Sequence, residues 1–294
     1  METGTTVKFS PDTPQRVVVK GYDWGMGLCT AILTLEQPAA PEAVNAGIFE
    51  QVVEERESFD WATFQPEHIV IRGPRTVRDA YVCSPDGARS TQPDRYVRVE
   101  FACTPSTTPA CFDLHKQRSS WCDPYRLLYT VNGETFAPPV DLNHARLPQL
   151  EPFCMEQSFT GSEGRTLKYA YYEPEDVRTA PEQKLPLVIW LHGAGEGGTN
   201  TFLPLLGNKA TALASPEFQQ AMGGAVYLLV PQTNGFWMEY DAPDTWAQNP
   251  GKPSVYTKTL KELIDAFVAA HPAADADRIL LCGCSNGGYM SLNM

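Results

Sequence analysis

The chain has 294 residues, of which 43% are hydrophobic and 20% charged, and its formal net charge at pH 7 is −12. A length of this order accommodates one large domain or two ordinary ones. The acidic balance provides no basic patch to neutralise phosphates, which argues against nucleic acid or an anionic membrane as a partner. No apolar run reaches the ~18 residues needed to span a bilayer.

The amino terminus and the cysteines bear on the cellular compartment. Residues 1–6 contain no basic segment followed by an apolar stretch, so no signal peptide is predicted and a cytoplasmic location is expected. A secreted chain whose leader had been removed would show the same start. Cys103, Cys111 and Cys122 are close enough in sequence to pair in an oxidising compartment, whereas free thiols are expected in a reducing cytoplasm.

Neither a metal nor another cofactor is predicted. The eight cysteines include no Cys-x-x-Cys pair, which makes a zinc site unexpected. No group of histidines and carboxylates shows the spacing of a metal-binding motif.

Residues 1–150 are predicted to form an all-β domain. The clearest strand is Arg95–Cys103, in which Val97, Val99 and Phe101 alternate with polar residues. Turn signals separate it from other short strand-like segments, and this spacing is typical of a small β-sandwich. The other segments are Arg16–Lys20, Thr30–Leu35, Phe49–Val53, Ala80–Cys83 and Arg126–Val131.

Two segments of this half are predicted to lack regular structure. Thr104–Pro124 is polar and contains prolines, as expected of a long loop. Residues 134–153 hold four prolines and little hydrophobic periodicity, which predicts a linker. The boundary between two domains is therefore placed at residues 150 and 151.

Residues 151–294 change to a pattern of strands and helices. A hairpin is predicted from Gln157–Thr160 and Thr166–Tyr172, and strands and amphipathic segments alternate after it, as in the opening half of an α/β-hydrolase sheet. These later segments are a strand at Leu185–Leu191, an amphipathic stretch at 209–222, a strand at Ala225–Val230, a helix from Ser254 to Ala270 and a strand at Ile279–Cys282.

The most informative motif is Gly283-Cys-Ser-Asn-Gly287, which directly follows the apolar run Ile279–Cys282. A Gly-x-Ser-x-Gly sequence after a buried strand is typical of a nucleophile elbow, a turn so tight that only glycine fits two positions before and after the serine. Ser285 is therefore the candidate nucleophile, and the backbone N–H of Asn286 is a candidate oxyanion donor. A glycine-rich turn without chemistry is the alternative.

A second motif, His192-Gly-Ala-Gly195, follows the buried strand Leu185–Leu191. A His-Gly-x-Gly turn in this position supplies the second half of an oxyanion hole in α/β-hydrolases. The backbone N–H of Gly193 or of Ala194 is therefore predicted to be the other donor.

Three side chains near these motifs have open interpretations. His192 is expected to brace its loop rather than to act as a base. Glu196 either holds the same loop by hydrogen bonds or is solvated. Trp237 either lines the acyl pocket or is an aromatic side chain buried under a loop.

The catalytic base is not evident. In α/β-hydrolases the acid and the histidine follow the serine, yet the nine residues after Ser285 include no Asp, Glu or His. His271 is expected to close a helix, and the histidines of the first 150 residues are expected at the surface. The expectation is a catalytic domain truncated after the nucleophile elbow, with its acid and base in a missing C-terminal part. The elbow strand would then form an apolar sheet edge.

The chain resembles the bacterial esterases, often labelled predicted peptidases, that carry an N-terminal immunoglobulin-like domain. The resemblance rests on Trp190–Glu196, on Asp277–Ile279 and on Gly283–Tyr289, and more weakly on Gly21–Gly25 near the start. It implies an α/β-hydrolase domain at 151–294, preceded by an immunoglobulin-like β-sandwich at 1–150. It also implies a serine carboxylesterase that acts on short acyl esters.

Several functions remain open at this point. The predicted activity is hydrolysis of small-molecule carboxylic esters through an acyl-enzyme, with the β-domain either shaping the approach to the site or assembling homo-oligomers. A serine peptidase, or an esterase directed at feruloyl or polyester polymers, fits the same motifs. A non-catalytic binding protein with an inert hydrolase half is the alternative from another class. Without the acid and base, the given chain is expected to lack ester turnover.

Overall fold

The computed structural model describes residues 7–175, 177, 182–240 and 253–294. Residues 1–6, to which the signal-peptide expectation refers, lie outside them. Contacts divide the chain into two compact units, each of which is described by itself. Unit 1 comprises Met1–Lys20, Met26–Cys111 and Ser120–Pro148, and unit 2 comprises Gly21–Gly25, Phe112–Ser119 and Gln149–Met294. None of the helices within the described ranges is long and apolar enough to cross a membrane.

Ten strands lie in the described part of the first 150 residues. They are β1 (Arg16–Tyr22), β2 (Gly25–Ala39), β3 (Phe49–Ser58), β4 (Ile69–Pro74), β5 (Val77–Cys83), β6 (Asp94–Phe101), β7 (Ala110–Asp113), β8 (Arg118–Trp121), β9 (Tyr125–Val131) and β10 (Glu134–Phe136). One four-stranded sheet has the order β1-β2-β6-β5 and a second has the order β10-β9-β3-β4, while β7 pairs with β8.

Strand β6 corresponds to the clearest alternation of apolar and polar residues in the sequence. Its Val97, Val99 and Phe101 are buried, which confirms the predicted alternation. The strand runs antiparallel between β2 and β5, so that Val97 pairs with Leu33 and Val99 with Ala31. Apolar side chains on the same face of paired strands form part of the core of unit 1.

Two predictions for this half were wrong in part. The segment 104–124 is not one long loop, because it contains β7 and β8, two strands of four residues each. The segment 134–153 is not only a linker, because it begins with β10 and ends at the first strand of unit 2. Strand β4 was not predicted at all. It lies at a sheet edge with mostly exposed side chains, so it shows no apolar alternation.

Unit 2 contains a five-stranded sheet with the order β11-β12-β14-β13-β15. Its strands are β11 (Phe153–Thr160), β12 (Thr166–Tyr172), β13 (Leu185–Leu191), β14 (Tyr227–Gln232) and β15 (Ala274–Gly283). Strand β12 runs antiparallel to both β11 and β14, whereas β13 is parallel to both β14 and β15. The described helices are α1 (Phe202–Leu206), α2 (Pro216–Ala221), α3 (Thr257–Ala270) and α4 (Asn286–Asn293).

The order of elements in unit 2 follows the sequence pattern closely. The hairpin β11–β12 and strand β13 lie where they were predicted. The amphipathic stretch 209–222 is not one helix, because a 3-10 turn at Ala210–Ala214 precedes the short helix α2. Helix α3 begins at Thr257 rather than at residue 254, because the Ser254 hydroxyl accepts the Tyr256 N–H just before the first turn.

The core of unit 2 lies between helix α3 and the sheet. Leu260, Leu263, Ile264 and Phe267 of α3 are buried in one cluster with the apolar side chains of β13 and β14. Strand β15 lies at the edge of the described sheet. Its Ile279 is 37% exposed and its Leu280 is 41% exposed, so this edge is apolar, as the sequence led us to expect.

A buried polar cluster holds part of unit 1 together. The side chain of Arg75 is fully buried, and it donates to Glu54 Oε1 at 2.9 Å, to the Tyr125 hydroxyl at 3.2 Å and to the Leu28 carbonyl at 2.6 Å. The Tyr125 hydroxyl also donates to Glu54. Each partner therefore compensates the cost of burying another.

We expect Arg75→Ala to lower the free energy of unfolding by about 3–5 kcal/mol, because it removes the cation closest to the buried Glu54 carboxylate and leaves only Arg56, at 3.7 Å. Arg72→Ala is the matched control, since Arg72 lies 3.8 Å from Glu55 but has a side chain that is 61% exposed. Its loss should cost less than about 1 kcal/mol. Urea unfolding of the three proteins measures both values, and equal losses would contradict the importance of the buried cluster.

Candidate active site

The candidate nucleophile lies at the turn between β15 and α4. Ser285 has φ 51° and ψ −111°, a conformation that non-glycine residues rarely adopt. Its side chain is exposed. The Gly287 N–H donates to the Cys284 carbonyl at 2.8 Å, which closes the turn around the serine. A strained serine at a strand-to-helix turn is the geometry of a nucleophile elbow.

Two glycines make this turn possible. A Cβ atom at Gly283 would lie 2.7 Å from the Leu191 carbonyl oxygen, and one at Gly287 would lie 1.9 Å from the same oxygen. The Cys284 N–H donates to this carbonyl at 3.2 Å. The elbow therefore packs backbone to backbone against the end of β13, and any side chain at either glycine would separate them.

Asn286 connects the elbow to the segment that follows β14. Its buried side-chain oxygen accepts the Trp237 N–H at 2.5 Å and lies 3.4 Å from Met238 N. The backbone N–H of Asn286 has no acceptor among the described residues. It is therefore available as an oxyanion donor at the first turn of α4, where the helix dipole also favours negative charge.

His192 braces the loop that follows β13. The side chain is fully buried, its Nδ1 donates to the Gly193 carbonyl at 2.8 Å, and its Nε2 accepts the Thr233 N–H at 3.2 Å. This pattern assigns the proton to Nδ1. Burial lowers the pKa of His192 to about 4, so the ring is neutral at pH 7. With both nitrogens engaged, His192 is a structural group and not a base for Ser285.

Glu196 holds the same loop by hydrogen bonds, which decides between the two interpretations of this residue. Its Oε2 accepts the Gly193 N–H at 2.7 Å, and its Oε1 accepts the Asn208 side-chain amide at 2.9 Å. Burial raises the pKa of the Glu196 carboxyl to about 7, although both hydrogen bonds oppose the shift. Close to neutral pH this group therefore exchanges between the acid and the carboxylate.

The contact with Glu196 also corrects the predicted set of donors. Because the Gly193 N–H already donates to a carboxyl, Gly193 does not offer a free donor in this structure. The N–H of exposed Ala194 has no acceptor among the described residues. Ala194 and Asn286 are thus the two backbone donors that the geometry leaves available.

Trp237 is placed in the core rather than on a pocket surface. Its side chain is 0% exposed, and its ring centroid lies 5.2 Å from that of His192 and 6.0 Å from that of Tyr256. A side chain without exposed surface does not line a substrate pocket. The structure therefore favours the alternative, an aromatic residue buried under a loop.

A contact that was not foreseen involves the segment Phe112–Ser119, which belongs to unit 2. The Ser119 N–H donates to the Gly195 carbonyl at 2.6 Å, and a Cβ atom at Gly195 would lie 3.3 Å from the Phe112 ring. Arg118 Nη1 lies 3.5 Å from Asn234 Oδ1. No sequence signal indicates this contact, because it joins residues about eighty positions apart through backbone atoms.

No histidine is bonded to Ser285 in the part of the chain that the structure describes. His271 caps α3 as expected, with Nδ1 donating to the Phe267 carbonyl at 2.8 Å. His192 is fully engaged beneath its loop. Among the residues that the structure describes, the site thus has a strained serine and two backbone donors, and no base is in hydrogen-bond contact with the serine.

Comparison with known proteins bears on the fold. No protein-family profile matches the chain, and no protein of curated function matches its sequence. A crystal structure of a thermostable esterase has a TM-score of 0.67 at 20% identity and covers 95% of this chain and 72% of its own. At this identity the match shows the fold alone. The chain therefore shares an α/β-hydrolase fold with that esterase.

Two other solved structures match with lower scores. An acetyl xylan esterase from Paenibacillus sp. R4 has a TM-score of 0.31 at 20% identity and covers 49% of this chain and 45% of its own. An acylaminoacyl peptidase from Pyrococcus horikoshii has a TM-score of 0.33 at 15% identity and covers 95% of this chain and 35% of its own. Both scores are too low to support an argument.

We expect Gly287→Ala to destabilise unit 2 by about 3 kcal/mol or more, because the new methyl group must displace the Leu191 carbonyl. Gly288→Ala is the matched control, since its Cβ would meet its nearest neighbour, the Gly283 carbonyl oxygen, at an ordinary 3.6 Å. A helical Gly→Ala change of this kind is neutral or stabilises by up to about 1 kcal/mol. Urea unfolding of both variants gives the comparison, and similar midpoints would contradict the proposed packing.

The Glu196 carboxyl should contribute a pH-dependent part of stability. Its pKa is raised from 4.5 to about 7 in the folded chain, so the folded state holds the proton more tightly. This contribution is fully present below about pH 4.5 and is lost as the pH rises through 7. His192, whose pKa is lowered, acts in the opposite direction between about pH 4 and 6.5. A comparison of the wild type with a Glu196 variant therefore separates the pH dependence due to the Glu196 carboxyl from that due to His192.

Glu196→Gln keeps an acceptor for Gly193 and can pair with a flipped Asn208 amide. The stability of the variant relative to the wild type should increase by about 1–2 kcal/mol between pH 5 and pH 8, after a discount for the partial exposure of Glu196. Urea unfolding at several pH values measures this difference. A difference that does not change with pH would show that Glu196 does not hold its proton as described.

Proposed function

We propose that the protein is a serine hydrolase that cleaves carboxylic esters of small molecules through an acyl-enzyme, with Ser285 as the nucleophile. The observation that carries the proposal is the backbone of Ser285, with φ 51° and ψ −111° at a turn between a parallel strand and a helix. A structural turn has no need of a serine in a strained conformation with an exposed hydroxyl. The α/β-hydrolase fold shared with a thermostable esterase supports the same reading.

Acyl-enzyme chemistry needs a nucleophile, oxyanion donors and a base, and the residues present supply the first two. The Ser285 Oγ attacks the ester carbonyl, and the N–H groups of Ala194 and Asn286 stabilise the oxyanion that forms. Loss of one such donor typically lowers the rate about 100- to 1000-fold. The tetrahedral intermediate collapses to the acyl-enzyme and expels the alcohol, which takes up the proton removed from the serine. Water then attacks the acyl-enzyme, the acid leaves, and a proton from that water returns to Ser285 Oγ.

The third need is a base that removes the serine proton. We propose that a histidine and its acidic partner lie in a C-terminal segment beyond the given sequence, because His192 and His271 are engaged in other hydrogen bonds and exposed His115 makes no recorded contact with Ser285. The apolar exposed edge of β15 supports this proposal, since further strands would cover it. We propose further that residues 1–150 form an immunoglobulin-like domain. The chain as given should then lack proper ester turnover.

Ser285→Ala tests the proposal in the protein as its natural gene encodes it. Hydrolysis of a short acyl p-nitrophenyl ester should fall by about 10⁴-fold or more, and labelling by a fluorophosphonate probe should disappear. Ser162→Ala is the control, because Ser162 is an exposed serine whose hydroxyl contacts Glu262 away from the elbow. Labelling that persists in Ser285→Ala, or a natural protein that neither labels nor turns over esters, would favour a non-catalytic binding protein instead.

A further inference from the structure

The segment Thr233–Tyr240, which follows β14, is fixed by close contacts to the loop after β13. The Thr233 N–H donates to His192 Nε2 at 3.2 Å. A Cβ atom at Gly197 would lie 2.1 Å from the Gly235 carbonyl oxygen, so the two backbones touch. The first half of the segment therefore packs on the loop that carries one of the two free backbone donors.

The second half of the segment is fixed to helix α4. Asn286 Oδ1 accepts the Trp237 N–H at 2.5 Å and lies 3.4 Å from Met238 N. The ring centroid of Tyr240 lies 6.4 Å from that of Tyr289, which is three residues further along α4 than Asn286. Because residues three apart share one face of a helix, the segment lies along the first turn of α4, directly after the candidate nucleophile.

Trp237 and Met238 differ in their exposure. Trp237 has a side chain that is 0% exposed, and its carbonyl accepts the Ser254 hydroxyl at 2.5 Å, so this residue is held in the core. Met238 is only half-buried and keeps part of its surface accessible, and Ser285 is exposed. Asn286 therefore holds two accessible residues close together, Ser285 as its chain neighbour and Met238 beside its side-chain oxygen.

A methionine in this position suits contact with an apolar part of a substrate. The reacting carbonyl of an ester must lie about 3–3.5 Å from the Ser285 Oγ, so the groups that flank this carbonyl lie beside the first turn of α4. The methionine side chain is apolar, unbranched and flexible, and it adapts its shape to a neighbouring chain. Burial of its accessible surface by an apolar group is favourable.

We propose that Met238 is a specificity-determining residue that contacts the apolar chain flanking the scissile ester carbonyl and limits the length of that chain. This role rests on the proposed function of Ser285. It shifts the predicted pocket residue by one position, from Trp237 to its neighbour. The sequence did not indicate the shift, because the contact with Asn286 joins residues about fifty positions apart.

Two series of esters test the proposal in the protein as its natural gene encodes it. The p-nitrophenyl esters of acetic, butyric and octanoic acid vary the acyl chain, and ethyl, butyl and octyl acetate vary the alcohol. Met238→Ala enlarges the space and should raise the ratio of kcat/KM between the longest and the shortest ester of one series by about 10-fold or more, whereas Met238→Trp should lower this ratio. One methylene group in an apolar pocket already changes kcat/KM by about 10- to 200-fold.

Met155→Ala is the matched control. Met155 is also half-buried in unit 2 but lies on β11, at the opposite edge of the five-stranded sheet from β15. Its variant should keep the wild-type ratios in both series. Labelling of each variant by a fluorophosphonate probe separates a change in selectivity from a loss of folding, because a misfolded chain does not present an activated serine.

A ratio that changes in the acyl series assigns Met238 to the acyl chain, and one that changes in the alcohol series assigns it to the leaving group. Wild-type ratios in both Met238 variants, or equal losses for all esters, would overturn the role of Met238. Turnover by the wild type would still support the proposed function in that case. A wild type that neither labels nor hydrolyses any of the esters would overturn both.

Discussion

The candidate active site depends on the close approach of three backbone segments at the end of β13. The Leu191 carbonyl accepts the Cys284 N–H, and the same oxygen leaves no space for a Cβ atom at Gly283 or Gly287. This approach places the Ser285 turn directly beside the loop that begins at His192. The Asn286 N–H follows this turn and the Ala194 N–H lies on the loop after β13, so the two backbone donors lie on the two segments that this contact joins.

Beneath that loop lie two titratable groups, His192 and Glu196, whose charged forms are disfavoured by burial. His192 is neutral at pH 7, and the pKa of Glu196 is close to that pH. A fully charged carboxylate under the loop would oppose negative charge that develops on a substrate oxygen nearby. The hydrogen bonds of His192 and Glu196 thus hold the loop in place, while burial limits the negative charge of Glu196 that would oppose an oxyanion. The buried Arg75 cluster of unit 1 follows a different rule, because there opposite charges compensate each other.

The sequence predicted those parts of the structure that local patterns determine. The apolar run of β13 and the alternation of β6 follow from hydrophobic periodicity, which is visible in a few neighbouring residues. The elbow glycines follow from the lack of space for a Cβ atom in the turn, which is equally local. The approach of Phe112–Ser119 to Gly195 was missed because it joins distant segments, and the pairing of β7 with β8 was missed because that stretch of sequence is polar and contains prolines. Trp237 was ambiguous because an aromatic residue after a strand fits a pocket wall and a core equally well.

The parallel register of the sheet has a consequence for how such a chain can vary. Leu191 pairs with Gly283 at the ends of β13 and β15, so that both motif loops start from the same level of the sheet. An added or deleted residue within either strand would shift one loop against the other by about 3.3 Å and turn its side chains to the opposite face. The loops that connect these strands carry no such constraint outside the site loop at His192–Glu196, strand β14 and helix α3. Length differences among relatives should therefore accumulate in those loops, while β13 and β15 keep their lengths.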